Sequence, residues 1–100
     1  MRETEDFQMP QIFNIFGYII YFWSNENNPL EPVHVHVSKG IPSAHATKIW
    51  ITQNGHCLLC NNNSKIPNKM LKYIIEIIEA RHTEIINKWY DNFGEINYYC

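Results

Sequence analysis

The sequence predicts an α+β domain: a four- or five-stranded, mostly antiparallel sheet with one long C-terminal helix, or two successive helices, packed on one face. Two observations predict this class. Between residues 11 and 60, short segments rich in Ile, Val, Phe and Tyr are separated by Gly, Pro and Asn clusters, which is typical of strands and turns. From Met70 to Trp89, apolar residues recur at helical spacing.

Composition limits the size and class of the protein. One hundred residues with 45% apolar content can bury one core, so we expect a single domain over residues 9–100, preceded by a mobile, charged extension over residues 1–8. A net charge of -2 without any cluster of Lys and Arg disfavours a nucleic-acid partner, and the same acidic balance disfavours an RNA-cleaving toxin.

We expect a cytoplasmic protein with no membrane contact. No segment approaches the roughly 18 apolar residues needed to cross a bilayer, and the first six residues, MRETED, do not resemble a signal peptide. Cys57, Cys60 and Cys100 are an odd number of cysteines, which favours reduced thiols. The C-x-x-C spacing on a strand would place Cys57 and Cys60 on opposite faces, so we interpret them as structural.

The first two strands are predicted before a polar loop. A short strand starts at Gln11, Gly17 makes a bend, and a longer strand covers Tyr18–Trp23. Their near-continuous apolarity predicts burial on both faces. Residues 24–32, SNENNPLEP, contain many turn-forming residues and predict a surface loop.

The segment PVHVHVS at residues 32–38 predicts a strand in the middle of the sheet. Its valines point to one face, while His34, His36 and Ser38 point to the other. Two imidazoles on one face of a strand are uncommon. These histidines are therefore the first candidates for a functional site.

A hairpin should follow this strand. Lys39–Pro42 is predicted as its loop and Ser43–Thr52 as the next strand. If Ser38 faces Ser43, two cross-strand pairs follow: His36 with His45, and His34 with Thr47. A slip of one residue would move His45 to the other face.

A last strand and the helix complete the chain. Asn54–Gly55 is a strong two-residue turn signal and predicts a strand over His56–Cys60. Pro67 suits the first turn of a helix that ends by Gly94, with a break near Thr83 as the alternative to one continuous helix. The predicted inner line of this helix is Leu71, Ile75, Ile78, His82, Ile85 and Trp89.

Several motifs, in this order, resemble the small bacterial proteins described as domain of unknown function 4160. They cover roughly residues 9–90: MPQI at residues 9–12, Phe16–Gly17, the loop at Asn25, PVHVHV at residues 32–37 and HTEIINKW at residues 82–89. The chain departs from that pattern in eight residues before Met9, in Val35 where the family has an aromatic residue, and in a longer hairpin after Ser38.

The resemblance implies a partner and not a reaction. Members of the family are often encoded beside a second small protein and have been proposed as toxin–antitoxin components. His34, His36 and His82 match the family pattern, whereas His45 and His56 do not.

The histidines allow a metal site. His34 and His36 at positions i and i+2 could be joined by His82 from the helix to bind a divalent metal ion, provided that the helix packs on the face that they occupy. The alternative is that His34 and His36 are hydrogen-bonded structural residues. No other cofactor is indicated.

The same residues allow catalysis. His36-Val-Ser38 and His45-Ala-Thr47 fit the His-x-Ser/Thr pattern of two-histidine phosphoesterases, although both motifs would lie on one hairpin. The strand also resembles the start of a histidine-triad motif, but Ser38 stands where the nucleophilic histidine would be. The catalytic candidates are therefore His34, His36 and His45.

The leading hypothesis is a protein-interaction module, resembling one component of a toxin–antitoxin-like or defence-associated pair. Its partner would be a second small protein or another copy of the chain, and Tyr98 and Tyr99 beyond the helix suit such docking. The alternative is a small metal- or histidine-dependent phosphoester hydrolase.

Overall fold

A computed structural model of the chain describes residues 11–24 and 30–100. Five strands come first: β1 (Gln11–Ile15), β2 (Tyr18–Tyr21), β3 (His34–Lys39), β4 (Thr47–Ile51) and β5 (Cys57–Asn61). Two helices follow, α1 (Asn68–Ala80) and α2 (His82–Phe93). The extension predicted over residues 1–8, the MP motif at residues 9–10 and the loop at Asn25 lie outside the described residues.

The predicted fold class is confirmed. All five strands form one antiparallel sheet in the order β1-β2-β3-β4-β5, so each strand pairs with its neighbour in sequence. The histidine strand β3 lies at the centre, where two partners satisfy its backbone groups. Burial of all four residues of β2 agrees with its apolar sequence, although Asn14 on β1 is exposed.

Both helices cover the face of the sheet that carries the valines. Val33, Val35 and Val37 share one core with residues of both helices, which are Leu71, Ile74, Ile78, Ile85 and Trp89. Alternation along β3 therefore directs His34 and His36 to the face away from the helices. We call these two surfaces the helix face and the histidine face.

The helix breaks at Arg81, two residues before Thr83, so the predicted alternative of two successive helices is confirmed. The backbone N–H of Arg81 bonds the carbonyls of Ile77 and Ile78, and its dihedral angles leave the helical region at φ -117° and ψ 24°. Its side chain forms an ion pair with Glu84 at 2.6 Å and lies 4.1 Å from the Phe13 ring centroid. The predicted end at Gly94 is confirmed, because Gly94 closes α2 with φ 75°.

The predicted hairpin register is wrong. His36 pairs with Lys48 and His34 with Trp50, so β4 starts at Thr47 and a loop occupies residues 40–46. This loop folds over the histidine face because the Tyr21 hydroxyl donates to the Ser43 carbonyl and accepts from the Ser43 N–H, both at 3.0 Å. The Ser38 hydroxyl also donates to the Ile41 carbonyl.

Candidate functional site

The two histidines of β3 lie side by side on the histidine face. Their ring centroids are 5.0 Å apart, and the rings are nearly perpendicular. His34 is 0% exposed and His36 is 8% exposed. The two imidazoles therefore lie on one face of the strand, as predicted, and both are buried.

Aromatic rings surround the histidines. Tyr21 lies 5.6 Å from the His36 ring, and the indoles of Trp50 and Trp89 meet His34 edge-on at 5.6 and 5.3 Å. Within the described residues, the pairing of β2 with β3 ends at Tyr21 and His36. At this end of the sheet, Trp89 of α2 contacts His34.

A backbone contact fixes the tautomer of His34. Its Nδ1 atom lies 2.9 Å from the Pro32 carbonyl oxygen, which can only accept, so Nδ1 carries the proton. In the neutral ring, Nε2 then holds the lone pair. This nitrogen has the chemistry of a base or a metal ligand, but the ring is fully buried.

A charged pair borders the histidines. The Lys48 ammonium lies 2.5 Å from a Glu31 carboxylate oxygen and 4.4 Å from the Trp50 ring centroid. The Tyr99 ring stacks on Trp50 at 4.8 Å, with 5° between the planes. Tyr99, which was predicted to suit docking on a partner, thus contacts the sheet of its own chain.

The C-terminal tail is anchored to the same end of the sheet. The Val33 N–H donates to the Asn97 carbonyl at 2.9 Å, and the Gln53 N–H donates to the Cys100 carbonyl at 3.0 Å. These bonds hold Tyr99 over Trp50. Glu31, Lys48 and Trp50 were not predicted from the sequence, and the correct β3–β4 register would have indicated Lys48 and Trp50.

His45 does not join the other histidines as predicted. It lies exposed in the loop at residues 40–46, where its backbone N–H donates to the Ser43 hydroxyl at 3.1 Å. Thr47, its predicted neighbour, pairs with Val37 and bonds Asn62 at 2.7 Å. The second His-x-Thr motif is therefore divided between a loop and a strand.

His82 lies at the start of α2, beside the turn between β4 and β5. Its Nδ1 atom is 2.9 Å from the Glu79 carbonyl oxygen. A Cβ atom built on Gly55 would lie only 2.6 Å from His82 Nε2, so the ring sits directly against this glycine. The α2 side chain that reaches His34 is therefore Trp89, whereas His82 packs against Gly55.

No group of three His, Cys, Asp or Glu side chains within residues 11–24 and 30–100 is arranged to hold a metal ion. The three cysteines are free. Burial, with a smaller contribution from the charge of Glu79, raises the pKa of the Cys57 thiol to about 12, which makes it a poor nucleophile near neutral pH. Cys60 and Cys100 are exposed.

Strand β5 forms one edge of the sheet and exposes apolar side chains. Leu58 is 40% and Leu59 is 45% exposed, and the strand sequence CLLCN contains neither a charged residue nor a proline. The Cys57 N–H donates a hydrogen bond to a Glu79 carboxylate oxygen at 2.9 Å. This apolar edge strand is the second candidate site.

In the described part of the chain, neither helix combines the length and apolar character needed to span a bilayer. No curated protein and no solved structure matches the chain. A family model described as "Domain of unknown function (DUF4160)" matches residues 17–90, which include the histidine strand, β5 and most of both helices. The chain therefore belongs to the DUF4160 family.

Proposed function

We propose that this protein is a cytosolic protein-interaction module that acts as one component of a two-protein, toxin–antitoxin-like or defence-associated pair. The observation that carries the proposal is the apolar, uncharged edge strand β5, with Leu58 and Leu59 exposed. Natural proteins usually protect such edges with Lys, Pro or a covering segment. An edge left open favours the addition of a strand from a partner.

The backbone of β5 suits this mode of binding. The Cys57 N–H points away from β4, since it is bonded by Glu79. Because backbone groups alternate in direction along a strand, Leu59 presents its N–H and carbonyl at the same free edge. Glu79 occupies the position at Cys57, and the register with β4 shifts after Leu59. An added strand would therefore pair at Leu59.

The hydrolase alternative draws on the 5.0 Å separation of the His34 and His36 rings. Those rings are only 0% and 8% exposed, which leaves little surface for a substrate. The interaction role makes no demand on their accessibility and is therefore preferred. Phosphoesterase activity that disappears from a folded His34→Ala/His36→Ala variant would favour the hydrolase instead.

The test is co-expression of the full chain with the product of the neighbouring gene, followed by size-exclusion chromatography with light scattering. We expect a complex that the Leu58→Lys/Leu59→Lys variant weakens by at least about tenfold in affinity, because two charges would have to be buried at the added strand. Circular dichroism should show that this variant keeps its fold.

Ile41→Lys is the matched control, because Ile41 is 73% exposed but lies in the loop at residues 40–46 and not at an edge. This variant should bind as the wild type does. A complex that tolerates both lysines on β5, or that Ile41→Lys disrupts equally, would contradict the proposal. Self-association that the β5 variant abolishes would identify a second copy as the partner.

A further inference from the structure

A strained turn joins β1 and β2. Phe16 has φ 51° and Gly17 has φ 85°, the pattern of a type I′ turn, and the Gly17 N–H donates to the Asn14 side chain at 3.2 Å. Glycine adopts this conformation freely, and Asn or Asp tolerates it. A bulky aromatic residue at the first position is an outlier, and such strain is commonly retained where it serves a site.

Phe16 also projects into solvent. Its side chain is 69% exposed and stacks on Tyr73 of α1, with 5.5 Å between ring centroids and 27° between planes. Tyr73 is itself 43% exposed. The turn therefore holds the Phe16 ring exposed to solvent and stacked against Tyr73 of α1.

A groove lies between these rings and the start of α1. Its volume is about 570 Å³, and it is lined by Phe16, Pro67, Lys69, Met70 and Tyr73. This volume lies within the range of binding sites, and the lining suits apolar side chains. We call this surface the Phe16–Tyr73 groove.

The start of α1, which borders the groove, carries two lysines although the chain has a net charge of -2. Lys69 lines the groove, and Lys72 precedes Tyr73. The first turn of α1 contains no acidic residue. The groove is thus lined mainly by apolar side chains, with Lys69 in its lining and Lys72 one helical turn further along α1.

We propose that the Phe16–Tyr73 groove docks a peptide segment of a partner protein that combines acidic residues with large apolar ones. Apolar anchors would fill the groove between the aromatic rings, and the carboxylates would pair with Lys69 and Lys72. The proposal rests on the interaction role above but uses a different surface, since the β1–β2 turn and β5 lie at opposite edges of the sheet.

The test selects peptides from a random phage-displayed library on the full chain, with the Phe16→Asn variant as the counter-selection. Asn suits the turn, so this variant should keep the fold while losing the exposed ring. We expect the selected peptides to combine Asp or Glu with Phe, Trp, Leu or Met. Their affinities, measured by fluorescence anisotropy, should fall by about tenfold or more in Phe16→Asn.

Two further variants test the contribution of the lysines and distinguish the groove from the β5 edge. Lys69→Glu/Lys72→Glu should weaken binding, and salt should weaken wild-type binding in the same direction. The Leu58→Lys/Leu59→Lys variant should bind these peptides normally, so failure of the β5 proposal would leave this result intact. Selection of only basic or uncharged peptides, equal binding by Phe16→Asn, or no selectable peptide would overturn the proposal. Self-association that Phe16→Asn abolishes would also overturn it, in favour of a second copy.

Discussion

Gly55 shows how one residue fixes the position of a histidine. The turn between β4 and β5 gives Gly55 φ 84°, a conformation that favours glycine. The absent side chain leaves space that the His82 ring fills, and the Glu79 carbonyl holds that ring through Nδ1. His82 therefore has a structural role in joining the sheet to the start of α2.

We expect Gly55→Ala to lower the free energy of unfolding by roughly 2 kcal/mol, because an L-residue at this φ is strained and its Cβ meets the His82 ring. Urea denaturation measures the change. In a double-mutant cycle, Gly55→Ala should cost less in a His82→Ala background, since the ring is no longer in the way. Strictly additive effects would show that the ring does not restrict this position.

At this scale the sequence predicted part of the site. The alternation in PVHVHVS placed His34 and His36 on one face, and the structure agrees because alternation is a local property of strands. The burial of both rings was not predictable locally. It depends on Tyr21, Trp50 and Trp89, which reach them from other elements.

The loop at residues 40–46 is the element that closes the histidine face. Tyr21 is fully buried and holds Ser43 through two bonds to its backbone. Burial raises the pKa of the Tyr21 hydroxyl, while its hydrogen bonds to Ser43 and Ser38 act in the opposite direction with smaller effect. Because the buried Tyr21 hydroxyl must remain neutral, the attachment of this loop should weaken at alkaline pH.

We expect stability to fall as the pH rises above about 10. The Tyr21 pKa is higher in the folded chain than in the unfolded one, so the unfolded chain loses this proton first. The contribution is complete below the unfolded pKa and is lost as the pH rises towards the folded one. Melting temperatures across this range measure the effect.

Tyr21→Phe should be less stable at neutral pH by about 1–2 kcal/mol, because the bonds to Ser43 are lost, but its stability should decline less steeply with alkali. Ser43→Ala keeps the backbone groups that Tyr21 bonds and serves as the control with a wild-type alkaline slope. An unchanged slope in Tyr21→Phe would exclude Tyr21 as the responsible group.

The sequence predicted the position of the loop after β3 but not its length or the register of the hairpin. Gly40 and Pro42 correctly marked a connection after β3, yet the register was wrong because the loop is held by Tyr21, a residue 22 positions away from Ser43. Helix ends were more predictable where a local signal exists, as at Gly94. The break at Arg81 lacks such a signal in Gly or Pro.

At the scale of the whole molecule, sheet and helices share one core. Residues of β1 to β4 and of both helices contact one another within it, and the tail after α2 bonds the backbone beside β3 and β4. The fold class was predictable because hydrophobic periodicity changes from strand to helix near Pro67. The face that the helices cover was not predictable, since a helix could pack on either face of an apolar sheet.

We expect a single cooperative unfolding transition. Helices that bury their apolar faces only against this sheet have little stability of their own. Far-ultraviolet circular dichroism, which reports helix, and tryptophan fluorescence, which reports the surroundings of Trp23, Trp50 and Trp89, should give the same midpoint in urea. A helical signal that persists after the fluorescence change would contradict the shared core.

The strand order also sets a distance requirement for recognition. The Phe16–Tyr73 groove adjoins the turn that follows edge strand β1, and the second site is the free edge of β5. Strands β1 and β5 are separated by four inter-strand spacings, which amount to about 19 Å. A single polypeptide that occupied both sites would need at least about six extended residues between its added strand and its acidic segment. Such a ligand would bind bivalently, and its second contact would form at the high effective concentration that a short tether provides.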